Sequence, residues 1–262
     1  MTLKIADLFS VAGKTALVTG GSRGIGEMIA RGLVENGARV YISSRKADAC
    51  EALARELSAA GTCVALPADL ARLDEVERLA ALVSEREPKL DILVNNAGAA
   101  WGEPFDAFPE KGYDRVMDLN VKAIFFLTQK LLGPLEAAGT ADDPARVINI
   151  GSIDGIGAPA MENFSYSASK AAVHQLTAHL ASHLASRHIN VSAIAPGYFP
   201  SKMTEFMMTA DPGFTRDIPL GRGGTPEDIA GTVLYLASRA GTYCSGSVIT
   251  VDGGLLSAAR RR

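Results

Sequence analysis

The sequence predicts one α/β domain over residues 1–262, a Rossmann-like doubly wound seven-stranded parallel sheet with helices on both faces. Three observations carry this reading. Short β-branched or aliphatic runs alternate with longer segments of helical spacing, the pattern of βαβ units. Those runs are apolar on both faces, as parallel strands covered by helices must be. No linker, repeat or low-complexity stretch interrupts the alternation.

The first run, KTALVT at 14–19, leads into the turn TGGSRGIG at 19–26 and a helical segment that ends in glycine. Gly20, Gly24 and Gly26 let the backbone take positive φ and approach a phosphate closely. The helix N-terminus behind them offers free N–H groups and a positive dipole end. Their G-x-x-x-G-x-G spacing is not the G-x-G-x-x-G fingerprint, so it is their place in the first βαβ unit that points to a nucleotide.

The second run, ARVYIS at 38–43, ends in Ser43, Ser44 and Arg45. NAD-binding units of this design place an acid there for the ribose 2′-hydroxyl. Here Arg45, with Arg23 from the glycine turn, suits a 2′-phosphate instead. The expected cofactor is therefore NADP(H). Asp48 is the nearest acid and fits the start of the next helix. The third run, TCVAL at 62–66, precedes Asp69, which either accepts from an adenine amine or caps a helix beginning near Leu73.

The fourth run, LDILV at 90–94, ends in LVNNAGAA, where Asn95 and Asn96 can satisfy neighbouring backbone groups. Runs ARVINI (145–150), INVSAI (189–194) and GSVITV (246–251) complete the sheet. Between the fifth and sixth, YSASK sets Tyr166 and Lys170 four residues apart, on one helix face. The stretch 198–224 has no confident element. Its Phe199, Met203, Phe206, Met207, Met208 and Phe214 suit either an apolar lid over a greasy substrate or a local core or oligomer interface.

Composition narrows the function. A net charge of −3 gives no reason to expect nucleic acid or an acidic membrane surface, and the tail Arg260-Arg261-Arg262 reads as a solvated end. No apolar run approaches the ~20 residues needed to span a bilayer. MTLKIADLFSVAGK has no signal-like core, and Cys50, Cys63 and Cys244 lack any C-x-x-C spacing. Reduced thiols in a cytoplasmic protein are expected. His174, His179, His183 and His188 cluster, but no glutamate follows His179 as H-E-x-x-H requires. No metal site is expected, and the histidines are assigned to an exposed or subunit-facing side.

TGGSRGIG, NNAG, Asn120 in MDLNVKAIF, Ser152 in INIGSIDG, Tyr166, Lys170 and APG at 195–197 occur in that order along the chain. Together they resemble the short-chain dehydrogenase/reductase family over essentially its whole length. Within it the chain is most similar to NADPH-dependent 3-oxoacyl-[acyl-carrier-protein] reductases. PARVINIGS, HINV and APGYFPSKMT look like the branch associated with rhamnolipid synthesis, and gluconate and other polyol dehydrogenases are also similar.

The resemblance implies a catalytic tetrad of Asn120, Ser152, Tyr166 and Lys170. It implies cofactor contacts from Gly20, Ser22, Arg23, Gly24, Ile25 and Gly26, from Ser44, Arg45, Asp69 and Leu70, and from Asn96, Ala97 and Gly98. Tyr166, Lys170, Pro196, Gly197 and Ser201 complete that set. Trp101 and the loop 153–164 are expected to line the cleft, and a homotetramer follows by the same likeness.

The implied reaction reduces a 3-oxoacyl thioester or similar β-keto substrate, with Tyr166 as proton donor. An ordinary tyrosine has a pKa of about 10, and the Lys170 ammonium together with the positive nicotinamide ring of the oxidised cofactor is expected to lower it. Ser152 stabilises the substrate oxygen, and Asn120 anchors a water chain to Lys170. Polyol oxidation is the alternative, and a non-catalytic NADP sensor a further one. Relatives that dock carrier proteins often carry an arginine where this chain has Ser182-His183, which leaves Arg146 as a possible second basic position.

Overall fold

The computed structural model describes residues 3–200 and 214–259. Ser201, the methionines at 203, 207 and 208, Phe206 and the arginine tail lie outside the described residues. All seven expected strands form: β1 Thr15–Thr19, β2 Arg39–Ser43, β3 Thr62–Ala65, β4 Ile92–Asn95, β5 Ala145–Ile150, β6 Ile189–Pro196 and β7 Val248–Val251. They make one sheet in the order β3-β2-β1-β4-β5-β6-β7, every pair parallel. β7 begins two residues later than expected. Gly246 takes φ +74 and its N–H turns to Val191 O, so the chain enters the ladder only after it.

The helices are α1 Ile5–Leu8, α2 Gly24–Glu35, α3 Ala47–Leu57, α4 Leu73–Arg86, α5 Glu110–Met117, α6 Ala123–Lys130, α7 Leu132–Ala138, α8 Phe164–Leu184, α9 Pro226–Ala237 and α10 Leu255–Ala259. Alternation along each strand sorts them into two layers. Ala16, Val18, Val40 and Ile42 pack with α2, α3 and α9, while Leu17 and Tyr41 face α4, α6, α7 and α8. At roughly 25 cal/mol per Å², these two cores supply most of the drive to fold. No described helix is long and apolar enough to cross a membrane.

Strand order reverses between β1 and β4, so the loops leaving their carboxyl ends part and open a crevice. Asp48 lies in the first turn of α3, as expected. Arg146 is a correction. Its side chain is only 2% exposed and donates to Leu236 O (3.2 Å), Ser238 O (3.2 Å), Thr242 Oγ1 (3.0 Å) and Asp143 Oδ1 (3.1 Å). A guanidinium spent inside the fold ties β5 to the end of α9 and offers no docking charge.

Candidate active site

The crevice is shaped by glycine. Gly20 and Gly24 take φ of +62 and +55, the left-handed region that side chains resist. A Cβ on Gly26 would stand 2.2 Å from Gly20 O, so only glycine lets α2 start this close to the turn. No side chain caps α2 at Arg23, which leaves its first N–H groups to a ligand. Asn96 closes the other wall: its Nδ2 donates to Thr19 O at 2.9 Å and Gly20 O at 3.2 Å, as expected.

Arg23 and Arg45 are exposed, and among the described residues neither forms an ion pair. Asp69 does not cap α4, whose N-cap is Arg72. Its Oδ1 accepts instead from Ala71 N–H within the preceding turn, which removes the capping alternative. These residues fit a phosphorylated dinucleotide.

The second half of the site lies where β5 meets α8. Ser152 follows β5 through Gly151, and its Oγ accepts the Asp154 N–H at 3.1 Å. Tyr166 and Lys170 sit in the first turns of α8. Lys170 is 4% exposed, donates from Nζ to Ile150 O at 2.8 Å, and lies 5.5 Å from the Tyr166 ring centroid.

Asn120 occupies a π-helical turn, Asp118–Lys122, between α5 and α6. Such turns depart from the α ladder and recur at functional sites. Its Oδ1 accepts from Ala99 N (2.8 Å), and its Nδ2 donates to Ala99 O (2.9 Å) and Ser169 Oγ (2.9 Å). A Cβ on Gly98 would come 3.3 Å from Asn120 Oδ1 and 3.7 Å from Lys170 Nζ, so the NNAG turn, the π-turn and α8 converge.

The family model described as Enoyl-(Acyl carrier protein) reductase matches residues 20–256. The chain belongs to the short-chain dehydrogenase/reductase family. Its relatives include the rhamnolipids biosynthesis 3-oxoacyl-[acyl-carrier-protein] reductase of Pseudomonas aeruginosa, 50% identical over 94% of this chain and 97% of that protein. A solved Pseudomonas aeruginosa RhlG/NADP active-site complex superposes with a TM-score of 0.91 at 50% identity, covering 95% of this chain and 98% of that one. The gluconate 5-dehydrogenase of Gluconobacter oxydans is 35% identical over 95% of this chain and 97% of its own.

In this short-chain dehydrogenase/reductase cleft burial dominates the titration of the protein's own groups. The Tyr166 phenol is pushed up to about 12, chiefly by burial; the Asp154 charge adds and a bond with Ser152 opposes. Lys170 is drawn down to about 8, again by burial, with Asp154 opposing. The ammonium does not win the phenol a low pKa, because both groups lose water on entering the same corner. The Asn120 side chain holds Ala99 and Ser169, which fixes the π-turn beside Lys170.

Four contributors were missed. Ser167 Oγ donates to Asp154 O (2.8 Å) and Ser169 Oγ to Tyr166 O (2.7 Å), so the inner serines of YSASK brace the site. Asn149 joins Asn95 Nδ2 (2.9 Å) to Thr177 Oγ1 (2.9 Å) in a buried amide chain from β4 to α8. Asp154 stands beside the reacting hydroxyls. The histidines also divide: His179 and His183 are exposed as expected, whereas His174 Nε2 is buried and an added Gly151 Cβ would stand 2.1 Å from it. Trp101 packs its ring on Gly112 and under Arg115, 5.9 Å from ring centroid to Cζ.

Proposed function

We propose that this chain reduces the ketone of a 3-oxoacyl thioester, or a similar β-keto compound, to a secondary alcohol with NADPH. The observation that carries the reading is the convergence of Ser152, Tyr166 and Lys170 at one corner. When bound, NADPH supplies a hydride to the carbonyl carbon. Gly20, Ser22, Gly24, Ile25 and Gly26 would hold its pyrophosphate, and Ser44, Arg23 and Arg45 its 2′-phosphate. Asp69 and Leu70 would flank the adenine, with Asn96, Ala97, Gly98, Pro196 and Gly197 toward the nicotinamide.

The Asp154 N–H occupies one Oγ lone pair of Ser152 and leaves its hydroxyl proton free to donate toward the substrate oxygen. Tyr166 holds its proton firmly, with a pKa of about 12, until negative charge develops on that oxygen and then transfers it. Lys170 spends one donor on Ile150 O and keeps others for the cofactor ribose and for proton return. Asn120 fixes the loop after β4 against α8.

The substrate class rests on the apolar cluster at the head of α8. Phe105 (78% exposed) and Phe164 (42% exposed) stack edge-on at 5.4 Å, and Phe108 lies 6.0 Å from Phe164. The cluster offers an acyl chain an apolar surface at the end of α8 that carries Tyr166. A carrier protein as donor lacks comparable support, since Arg146 is buried and Ser182-His183 carries no arginine.

Assembly as a homotetramer is supported by the partly exposed parallel edge strand β7 beside a fully exposed Tyr243. The free thiols Cys50, Cys63 and Cys244 favour a reducing, cytoplasmic compartment.

The test is NADPH oxidation with simple ketones, β-ketoesters, an acetoacetyl thioester and a keto-aldonate. Turnover of the β-keto compounds supports the reading. Turnover of the keto-aldonate alone favours a polyol dehydrogenase, and NADPH binding without turnover of any carbonyl favours a sensor.

A further inference from the structure

Asp154 is a carboxylate that the carbonyl chemistry above does not use. It lies two residues beyond Ser152, in the short turn Ile153–Gly155. That turn is pressed on α8: a Cβ on Gly155 would come 2.5 Å from Lys170 C.

Three bonds hold Asp154 in place. Its N–H goes to Ser152 Oγ (3.1 Å), its carbonyl accepts Ser167 Oγ (2.8 Å), and its Oδ2 accepts Asn163 Nδ2 (3.2 Å). Asn163 precedes Phe164, the first residue of α8, and its own Oδ1 is buried without a partner. Among the described residues Asp154 Oδ1 takes no bond. The carboxylate is thus bracketed by Ser152 on one side and by Asn163 and Ser167, which flank Tyr166, on the other. Its charge reaches Tyr166, Lys170 and Tyr198.

The balancing cation is out of a substrate's reach. Lys170 is buried, bonded to Ile150 O and set over the Tyr166 ring, whereas Asp154 is only half-buried. A substrate entering beside Ser152 therefore meets a fixed negative charge first.

We propose that Asp154 determines substrate specificity by charge, turning away compounds with a carboxylate close to the reacting ketone and admitting neutral esters and thioesters. This rests on the reductase reading and sharpens it: a 3-oxoacyl thioester is neutral where an aldonate is anionic.

The experiment compares ethyl acetoacetate with acetoacetate, the same skeleton with and without the charge. The ratio of their kcat/KM values is measured for the wild type, Asp154→Asn and Asp154→Glu. Asparagine keeps all three hydrogen bonds and removes only the charge, and because each ratio is internal to one enzyme a general loss of activity cancels.

The wild type is expected to prefer the ester, Asp154→Asn to narrow the ratio by about tenfold, the size of one like-charge contact largely screened by water, and Asp154→Glu to keep it. An unchanged ratio in Asp154→Asn, with ester reduction intact in the wild type, overturns the role of Asp154 and leaves the reductase reading standing. A wild type that reduces neither compound nor any thioester overturns both.

Discussion

The crevice above β1 and β4 and the corner between β5 and α8 are built by opposite means. In the crevice the decisive residues lack side chains: Gly20, Gly24 and Gly26 bring backbone N–H groups forward, and the cations Arg23 and Arg45 reach in from solvent. In the corner every decisive residue is a side chain with its water removed and its bonds assigned, from Lys170 on Ile150 O to Asn120 on Ala99 and Ser169. One half recognises a ligand that brings its own charge. The other must hold a proton until charge develops, which requires a dry and fixed setting. Substitutions should therefore fail differently in the two halves.

In the crevice, Gly26→Ala forces a Cβ to within 2.2 Å of a backbone oxygen. Overpacking of this kind costs about 1–3 kcal/mol, read as a lowered Tm together with weaker NADPH binding. Gly231→Ala in α9 is the control: a Cβ there meets nothing within 4 Å. It should stabilise by about 0.5–1 kcal/mol, the helix preference of alanine over glycine. Equal losses from both would show that close approach is not what Gly26 provides.

Arg45→Asp should leave the fold intact and shift the NADPH-to-NADH preference by about tenfold or more, one charge-assisted phosphate contact. Cofactor titration checks it, and a wild type already favouring NADH would undo the phosphate assignment.

The smallest effect belongs to the corner and follows pH. Lys170 loses its proton as pH rises through about 8, so the reductase rate should fall on that side. Stability should move the other way between about 8 and the ordinary 10.5 of lysine, because there the unfolded chain still binds a proton that the folded chain has released. From about 10 to about 12 Tyr166 reverses the sign, since the folded phenol keeps a proton that the unfolded one gives up. Rate and denaturation profiles on one pH axis separate these limbs.

The crevice was largely legible because its signals are local: a strand, three glycines and a helix start lie within 14–35, and each strand's apolar run marks itself. The corner was legible only in its four family positions. Asp154 meets Ser167 across thirteen residues and Asn149 meets Thr177 across 28, distances over which no periodicity speaks. Arg146 was misread because its acceptors at Leu236, Ser238 and Thr242 come from 90 to 96 residues away. The burial of the phenol is hidden for a related reason: a sequence displays a lysine four residues on, but not the desolvation that opposes it.

The measurement closest to the central claim is single-turnover NADPH oxidation by Tyr166→Phe with an acetoacetyl thioester, beside NADPH binding by the same variant. Removing the phenolic proton should cut the chemical step by about 10²–10⁴, the usual worth of a positioned general acid, while NADPH binding is retained. Near-normal oxidation by that variant would contradict the assignment of Tyr166 as the proton donor.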